Sequence, residues 1–146
     1  DVAVGEGGLV LFKKIQFKTN SAEILPESNT LLDQIAQTVK EHPEILLMEV
    51  AGHADERAGA QYNLILTQKR VDSVVSALTS RGVDKTRLRS KGYGLYCPED
   101  EGHNEEAWAK NRRVEFKIVK NKEGGIPPKL VCDKASANGV KPAPIP

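Results

Sequence analysis

No stretch of the chain approaches the roughly 18 consecutive apolar residues that span a bilayer, so no membrane-crossing helix is expected. Charge of one sign is also missing: 21 Lys and Arg against 20 Asp and Glu leave a net charge of +1. A field that weak does not gather a polyanion, which argues against nucleic acid as a partner. Cysteine is scarce. The two that occur, Cys97 and Cys132, lack C-x-x-C spacing, which argues against zinc or dithiol chemistry and leaves two free thiols and one disulfide equally open. Neither an initiating methionine nor a signal-peptide pattern opens the chain, as expected of a mature or excised segment. No Ser or Cys stands in a nucleophile motif. An acid/base or metal cluster built from His53, Asp55 and His103 lacks ligand spacing, and each histidine reads as a solvated or hydrogen-bonded loop residue. Neither an enzyme nor a metal or cofactor site is expected.

What is present suits one domain with tails: 146 residues, 39% of them hydrophobic and 28% charged. Residues 1–12, which include a Gly pair and have little to pack, read as a flexible lead-in. Residues 13–120 read as the domain. A first strand is placed at Lys13 to Phe17. Pro26, with its fixed φ, opens a helix that buries Leu31, Leu32, Ile35, Ala36 and Val39 and stops at His42-Pro43. Ile45 to Val50 is a short apolar run and therefore a strand. A second helix over about Ala60 to Arg81 has Leu64, Thr67, Val71, Val74, Val75 and Leu78 on its inner stripe and Gly82 as a left-handed cap. Arg87 to Tyr93 reads as a third strand. A polar loop then enters a brief helix with Glu105 and Glu106 in its first turn. Val114, Phe116 and Ile118 alternate with Glu115 and Lys117 as a half-buried strand. Residues 121–146 hold five of the eight prolines and three of the twelve glycines, and are expected to lack regular structure.

The fold class that follows is α/β (α+β), in the order β-α-β-α-β-(α)-β, with helices packed on one sheet. The chemistry concentrates between Ala51 and Leu78. A strand ending near Gly52 delivers Asp55 to the end of the sheet where the second helix begins. At about 100° per residue, Asn63, Leu66, Thr67 and Arg70 fall on one narrow face of that helix. An acid and an arginine brought together there make either an ordinary ion pair or a receptor for a zwitterion.

The run Gly52, His53, Asp55, then Asn63, Leu66, Thr67, Arg70, Val74 and Leu78 resembles the signature of the OmpA-like C-terminal domain family, the peptidoglycan-binding module. Phe17 with Thr19 and Asn20, Ile24 with Pro26, Gly92-Tyr93-Gly94, and Asn111 to Glu115 match further. The resemblance covers about Ile15 to Val119. It implies a mixed four-stranded sheet in the order 1-4-2-3 and a periplasmic location in which the parent protein is attached to the outer membrane. It also implies a ligand: the meso-diaminopimelate of the peptidoglycan stem peptide, whose free end carries an ammonium and a carboxylate on one carbon. By the same resemblance Asp55 accepts from the ammonium, and Arg70 holds the carboxylate through two parallel bonds. Asn63 orients the group, Arg112 adds a second cation, and Thr67, Thr19 and Asn20 complete the site. The implied compartment favours a Cys97–Cys132 disulfide. Ala54, Lys18 and Arg57 depart from the pattern, Arg57 by adding a cation beside Asp55. The competing reading is an envelope protein-interaction module without direct wall binding, in which Tyr96 or Trp108 serves either as an anchor or as a cap over the sheet edge.

Overall fold

The structure, a computed structural model, describes residues 2–125 and 128–146. Asp1 of the lead-in and Ile126 and Pro127 of the tail lie outside the described residues. Five strands form one sheet: β1 (Val2–Val4), β2 (Gly8–Leu11), β3 (Ile45–His53), β4 (Leu88–Gly94) and β5 (Arg113–Asn121). They lie in the order β1-β2-β5-β3-β4, with β3 and β4 parallel and every other pair antiparallel. The last four reproduce the expected 1-4-2-3 arrangement, and β1 adds an edge strand to it.

The first strand differs in place from the sequence reading. Lys13 to Phe17 is irregular apart from a bridge between Phe17 and Ile24. Local hydrogen bonds explain why: Gln16 N donates to Ser28 Oγ at 2.7 Å, Leu25 N to Gln16 O at 2.9 Å and Lys18 N to Glu23 O at 2.9 Å. These bonds close residues 16–25 on themselves instead of onto a neighbouring strand. The supposed flexible lead-in supplies the strand instead. Gly5 N donates to Gly8 O at 2.8 Å and closes a hairpin, and Gly8 lets the two backbones meet, because a Cβ there would stand 2.1 Å from Phe116 O.

The helices follow their apolar periodicity. A 3-10 turn at Pro26–Ser28 runs into α1 (Asn29–Glu41), which buries Leu31, Leu32, Ile35, Ala36 and Val39. The second helix, α2 (Ala60–Thr79), buries Val71, Val74 and Leu78 together with Asn63 and Thr67. Gly82, at φ 94°, turns the chain beyond it. Both helices pack with Met48, Val50, Phe116 and Ile118 of the sheet in the main core. The approach of α2 is very close. A Cβ on Gly92 would lie 2.3 Å from Gln68 N, and one on Gly52 2.7 Å from Val71 Cγ1.

Two short helices complete the chain: α3 (Glu105–Asn111), capped by the Asn104 side chain on Ala107 N, and α4 (Asp133–Ala137). The second lies in the tail expected to be irregular, and its ordering has an evident cause. A disulfide joins Cys132 to Cys97, 35 residues away, and Cys132 Sγ also accepts from Ala135 N at the start of α4. Ala135 and Val140 then pack with Ala51, Tyr93 and Cys97 on the sheet face opposite α1 and α2.

Candidate functional site

Beyond β3 the chain makes a tight loop before α2. Ala54 N donates to Gly94 O at 2.9 Å, and Ala58 at φ 64° holds a left-handed conformation that a residue with a Cβ adopts at some cost. Asp55 is 7% exposed. Its Oδ1 accepts from Arg57 N at 2.8 Å and Arg57 Nε at 3.2 Å, and its Oδ2 from Arg57 Nη2 at 2.8 Å and Arg112 Nη1 at 3.0 Å. Burial works against the charge, yet the bonds from Arg57 and Arg112 outweigh it and hold the carboxyl below its ordinary value. Arg57 also lies 4.5 Å over the Trp108 ring. Trp108 Nε1 donates to Glu56 Oε2 at 2.8 Å, and His103 Nδ1 contacts the same carboxylate at 2.6 Å. The loop is therefore fixed from the side of α3.

Arg70 stands across the cleft. Its Nε donates to Ser21 O at 2.8 Å and its Nη2 to Lys18 O at 3.5 Å, with the guanidinium 4.8 Å over the Phe17 ring. Among the described residues no carboxylate pairs with it, and burial pulls its pKa down. Asp55 and Arg70 are thus not partners of one another; each is held by its own surroundings. Thr19 and Asn20, the latter at φ 54°, lie in the loop that receives Arg70. A cleft of about 1300 Å³ is lined by all seven residues singled out in the sequence: Asp55, Arg70, Asn63, Thr67, Arg112, Thr19 and Asn20.

Two of the seven use their polar groups on the scaffold. Asn63 Nδ2 donates to Arg57 O at 2.8 Å and more loosely to Asp55 O at 3.5 Å. Thr67 Oγ1 donates to Asn63 O at 2.8 Å and accepts from Gly94 N at 3.0 Å. Together they tie the first turn of α2 to the Asp55 loop and to the end of β4. Arg112 bridges outward, from Asp55 to Glu105 Oε1 at 2.7 Å.

The principal partner of Asp55 is Arg57, which the sequence marks only as a departure from a pattern. No spacing rule reveals a guanidinium folding back on an acid two residues earlier, where Arg57 N also donates to Asp55 Oδ1. His53, Asp55 and His103 do not converge. His53 is buried, stacked 5.3 Å from Tyr93, with Nε2 3.1 Å from Glu115 Oε1, while His103 is exposed. Among the described residues no group of three or more His, Cys, Asp or Glu is placed to hold a metal. Tyr96 packs beside the tail, and Trp108 serves the Glu56–Arg57 loop.

Comparison with known proteins bears on the same residues. The family model described as "OmpA family" matches residues 16–112. The peptidoglycan-associated lipoprotein of Pseudomonas aeruginosa is 35% identical over 112 residues, which are 77% of this chain and 66% of that protein. The protein of the same name from Legionella pneumophila is 39% identical over 98 residues, 67% of this chain and 53% of that one. The chain therefore spans about half to two thirds of the length of these relatives. Among solved structures, the cell wall anchor of the T6SS from Pseudomonas aeruginosa superposes with a TM-score of 0.68 at 27% identity, covering 82% of this chain and 88% of that one. The matched segment contains Asp55, Arg57, Asn63, Thr67, Arg70 and Arg112, and the chain accordingly belongs to the OmpA family.

Proposed function

We propose that this chain binds peptidoglycan non-covalently, through the meso-diaminopimelate of the stem peptide, and so anchors an outer-membrane or other envelope protein to the cell wall from the periplasm. One observation carries the reading: a half-buried guanidinium, Arg70, faces the same cleft as the acid Asp55 and, among the described residues, pairs with no carboxylate, meeting the Ser21 and Lys18 carbonyls and the Phe17 ring instead. A cation kept from carboxylates in a partly desolvated setting favours an arriving anion. In this reading the ligand carboxylate meets Arg70, with Thr19 and Asn20 at its rim, and the ammonium meets Asp55. Arg112 steadies the acid, and Asn63 and Thr67 hold its loop. The names of the relatives, peptidoglycan-associated lipoprotein and cell wall anchor, support it.

Diaminopimelate differs from lysine at this end by the carboxylate. A site with donors set for that group rejects a ligand lacking it, because the donors are left unpaired. Calorimetry should therefore find a diaminopimelate muropeptide bound at least about tenfold more tightly than its lysine counterpart, roughly 1.4 kcal/mol. Arg70→Ala should remove most of that preference and Asp55→Ala should weaken both ligands. Equal binding of the two peptides to the unmutated chain overturns the mechanism.

A second reading, an envelope protein-interaction module without wall binding, has one observation in its favour: all the donors that Asp55 can readily accept are already supplied by Arg57 and Arg112. Failure of the chain to co-sediment with purified, protein-free sacculi would favour it.

A further inference from the structure

β2 and β5 are paired at Gly8↔Lys117 and Leu9↔Phe116, with Ile118 N donating to Gly7 O at 2.9 Å. If the ladder continued, Leu11 would stand opposite Val114. It does not continue: the chain leaves β5 after Leu9, and the cleft enters the gap, where Val10, Leu11, Lys14 and Val114 line the same space as Asp55 and Arg70. Main-chain groups alternate sides along a strand. Because Ile118 turns its N–H toward β2, Val114, four residues earlier, turns its N–H and C=O the same way, into the gap. Among the described residues neither β2 nor any loop or side chain reaches them. A stretch of strand edge is thus open inside the cleft, beside the candidate site.

We propose that this gap is a strand-addition subsite, in which the diaminopimelate residue's own amide N–H and carbonyl pair with Val114 while its distal zwitterion sits at Asp55 and Arg70. The inference rests on the wall-binding reading above and extends it from one end of a side chain to the peptide main chain. Val114 stands opposite Gly52 in the β3–β5 ladder, three residues before Asp55, so the open edge lies beside the acid. The mode is the familiar addition of an extended peptide to a free sheet edge, where main-chain bonds supply affinity.

Lys14 supplies charge complementarity at the same place. Its ammonium donates to Ala109 O and to Arg112 O, which leaves the third N–H unused, and among the described residues it has no acidic partner within ion-pair distance. Burial and the nearby Arg112 and Arg113 lower its pKa, against a smaller opposing effect of Glu99. A surplus of positive charge therefore faces the gap, suited to the α-carboxylate of the γ-linked D-glutamyl residue that precedes diaminopimelate in the stem peptide.

The test compares free meso-diaminopimelate with the tetrapeptide L-Ala-γ-D-Glu-meso-diaminopimelyl-D-Ala, using calorimetry and the amide spectrum of the whole chain. The tetrapeptide should bind at least about tenfold more tightly, the increment of one or two main-chain hydrogen bonds. The Val114 amide should shift and exchange more slowly with the tetrapeptide. Val114→Pro removes the N–H that faces the gap and should cut tetrapeptide affinity about tenfold. Should that variant not fold, the unmutated chain gives the same answer with chemically altered peptides. An ester in place of the D-Glu–diaminopimelate amide should lose a similar factor, and amidation of the D-Glu α-carboxylate should weaken binding. Free diaminopimelate binding with no gain from the tetrapeptide, or an unmoved Val114 amide in the tetrapeptide complex, overturns the subsite and leaves the wall-binding reading standing. Absence of binding by either ligand overturns both.

Discussion

The two faces of the sheet are covered by opposite chemistry. On one, α1 and α2 close over Met48, Val50, Phe116 and Ile118 with Leu32, Ile35, Val71 and Val74, a continuous apolar layer. On the other, the strands present Glu49 and His53 from β3, Arg89 and Tyr93 from β4, and Glu115 and Lys117 from β5, and the tail lies over much of this polar layer. Apolar contact under the tail is a small cluster of Ala51, Tyr93, Cys97, Ala135 and Val140, with Leu64, Tyr96, Val131 and Cys132 packed partly buried against it. The difference is one of means. The first face needs only burial to hold, whereas the second must pair each charge and is stapled by a covalent bond. Glu49 shows how far the pairing goes: at 1% exposure it accepts from Tyr93 Oη at 2.7 Å and Arg89 Nε at 3.0 Å, while Arg89 Nη1 reaches Pro144 O in the tail at 3.3 Å.

The comparison breaks most sharply at that buried acid. Glu49→Ala leaves Arg89 charged and without a carboxylate beneath the tail and should cost about 3–5 kcal/mol in urea unfolding, whereas the double variant Glu49→Met, Arg89→Met, which removes both charges, should recover most of the loss. Replacing Cys97 and Cys132 by Ser should cost roughly 3–4 kcal/mol on chain-entropy grounds for a loop of this length. Hydrogen exchange should then rise first in residues 128–146 and last in the helix-covered core; uniform loosening of both faces would show that they are not independent. On the apolar face, Val74→Ala should cost about 2 kcal/mol through the cavity it leaves, with the tail's protection unchanged.

The mildest perturbation is acid. Glu115 loses from burial but gains more from the His53 bond and from the charges of His53, Arg113 and Lys117, so its pKa lies below the ordinary 4.5; Asp55 likewise lies below its ordinary 3.8. For carboxyls depressed in the folded state, the stabilisation is complete above the unfolded value and is lost as pH falls toward the folded one. As pH drops through about 3, the face under the tail and the Asp55 loop should therefore loosen, seen as faster amide exchange at residues 113–117 and 54–57, before α1 and α2 respond. Exchange rising first in the helices would contradict this.

Both helices and β3 to β5 are legible in the sequence because each carries a local signal: Leu31 to Val39 and Val71 to Leu78 repeat at helical spacing, Pro26 and Gly82 punctuate, and Val114 to Ile118 alternate; the order of the strands comes from the family resemblance alone. The convergence of Asp55 and Arg70 on one cleft is legible as well. The parts that escape are set by tertiary fit. Apolar residues suited to a strand occur both at 9–12 and at 15–17, and the ladder takes the earlier run because Gly8 alone lets the backbones touch. The tail reads as lacking regular structure, either lying along the surface or disordered, because its apolar content is low; a disulfide and a handful of buried side chains hold it against the sheet and order the short α4 within it. The strand β2 and the tail both lie outside residues 16–112, the part shared with the family. Arg57 escapes for a different reason, since nothing in a linear spacing tells which way a loop guanidinium folds.

The glycine contacts beneath α2 set a tolerance for the site. Most helix–sheet distances are negotiated by side chains, which can change rotamer and size and so let the spacing drift as sequences diverge. Here the helix rests on Gly92, where the main chain at Gln68 is the shim, and on Gly52, where Val71 Cγ1 and Thr67 O meet the strand, and main-chain atoms have no alternative sizes. Asp55 leaves the sheet three residues after one of these points, and Arg70 rides on the helix that they gauge. The span between acid and guanidinium is therefore a dimension insulated from ordinary variation in the core. Changes in what the cleft accepts must come through the decoration of its loops, as at Arg57 and Lys14, rather than through its width.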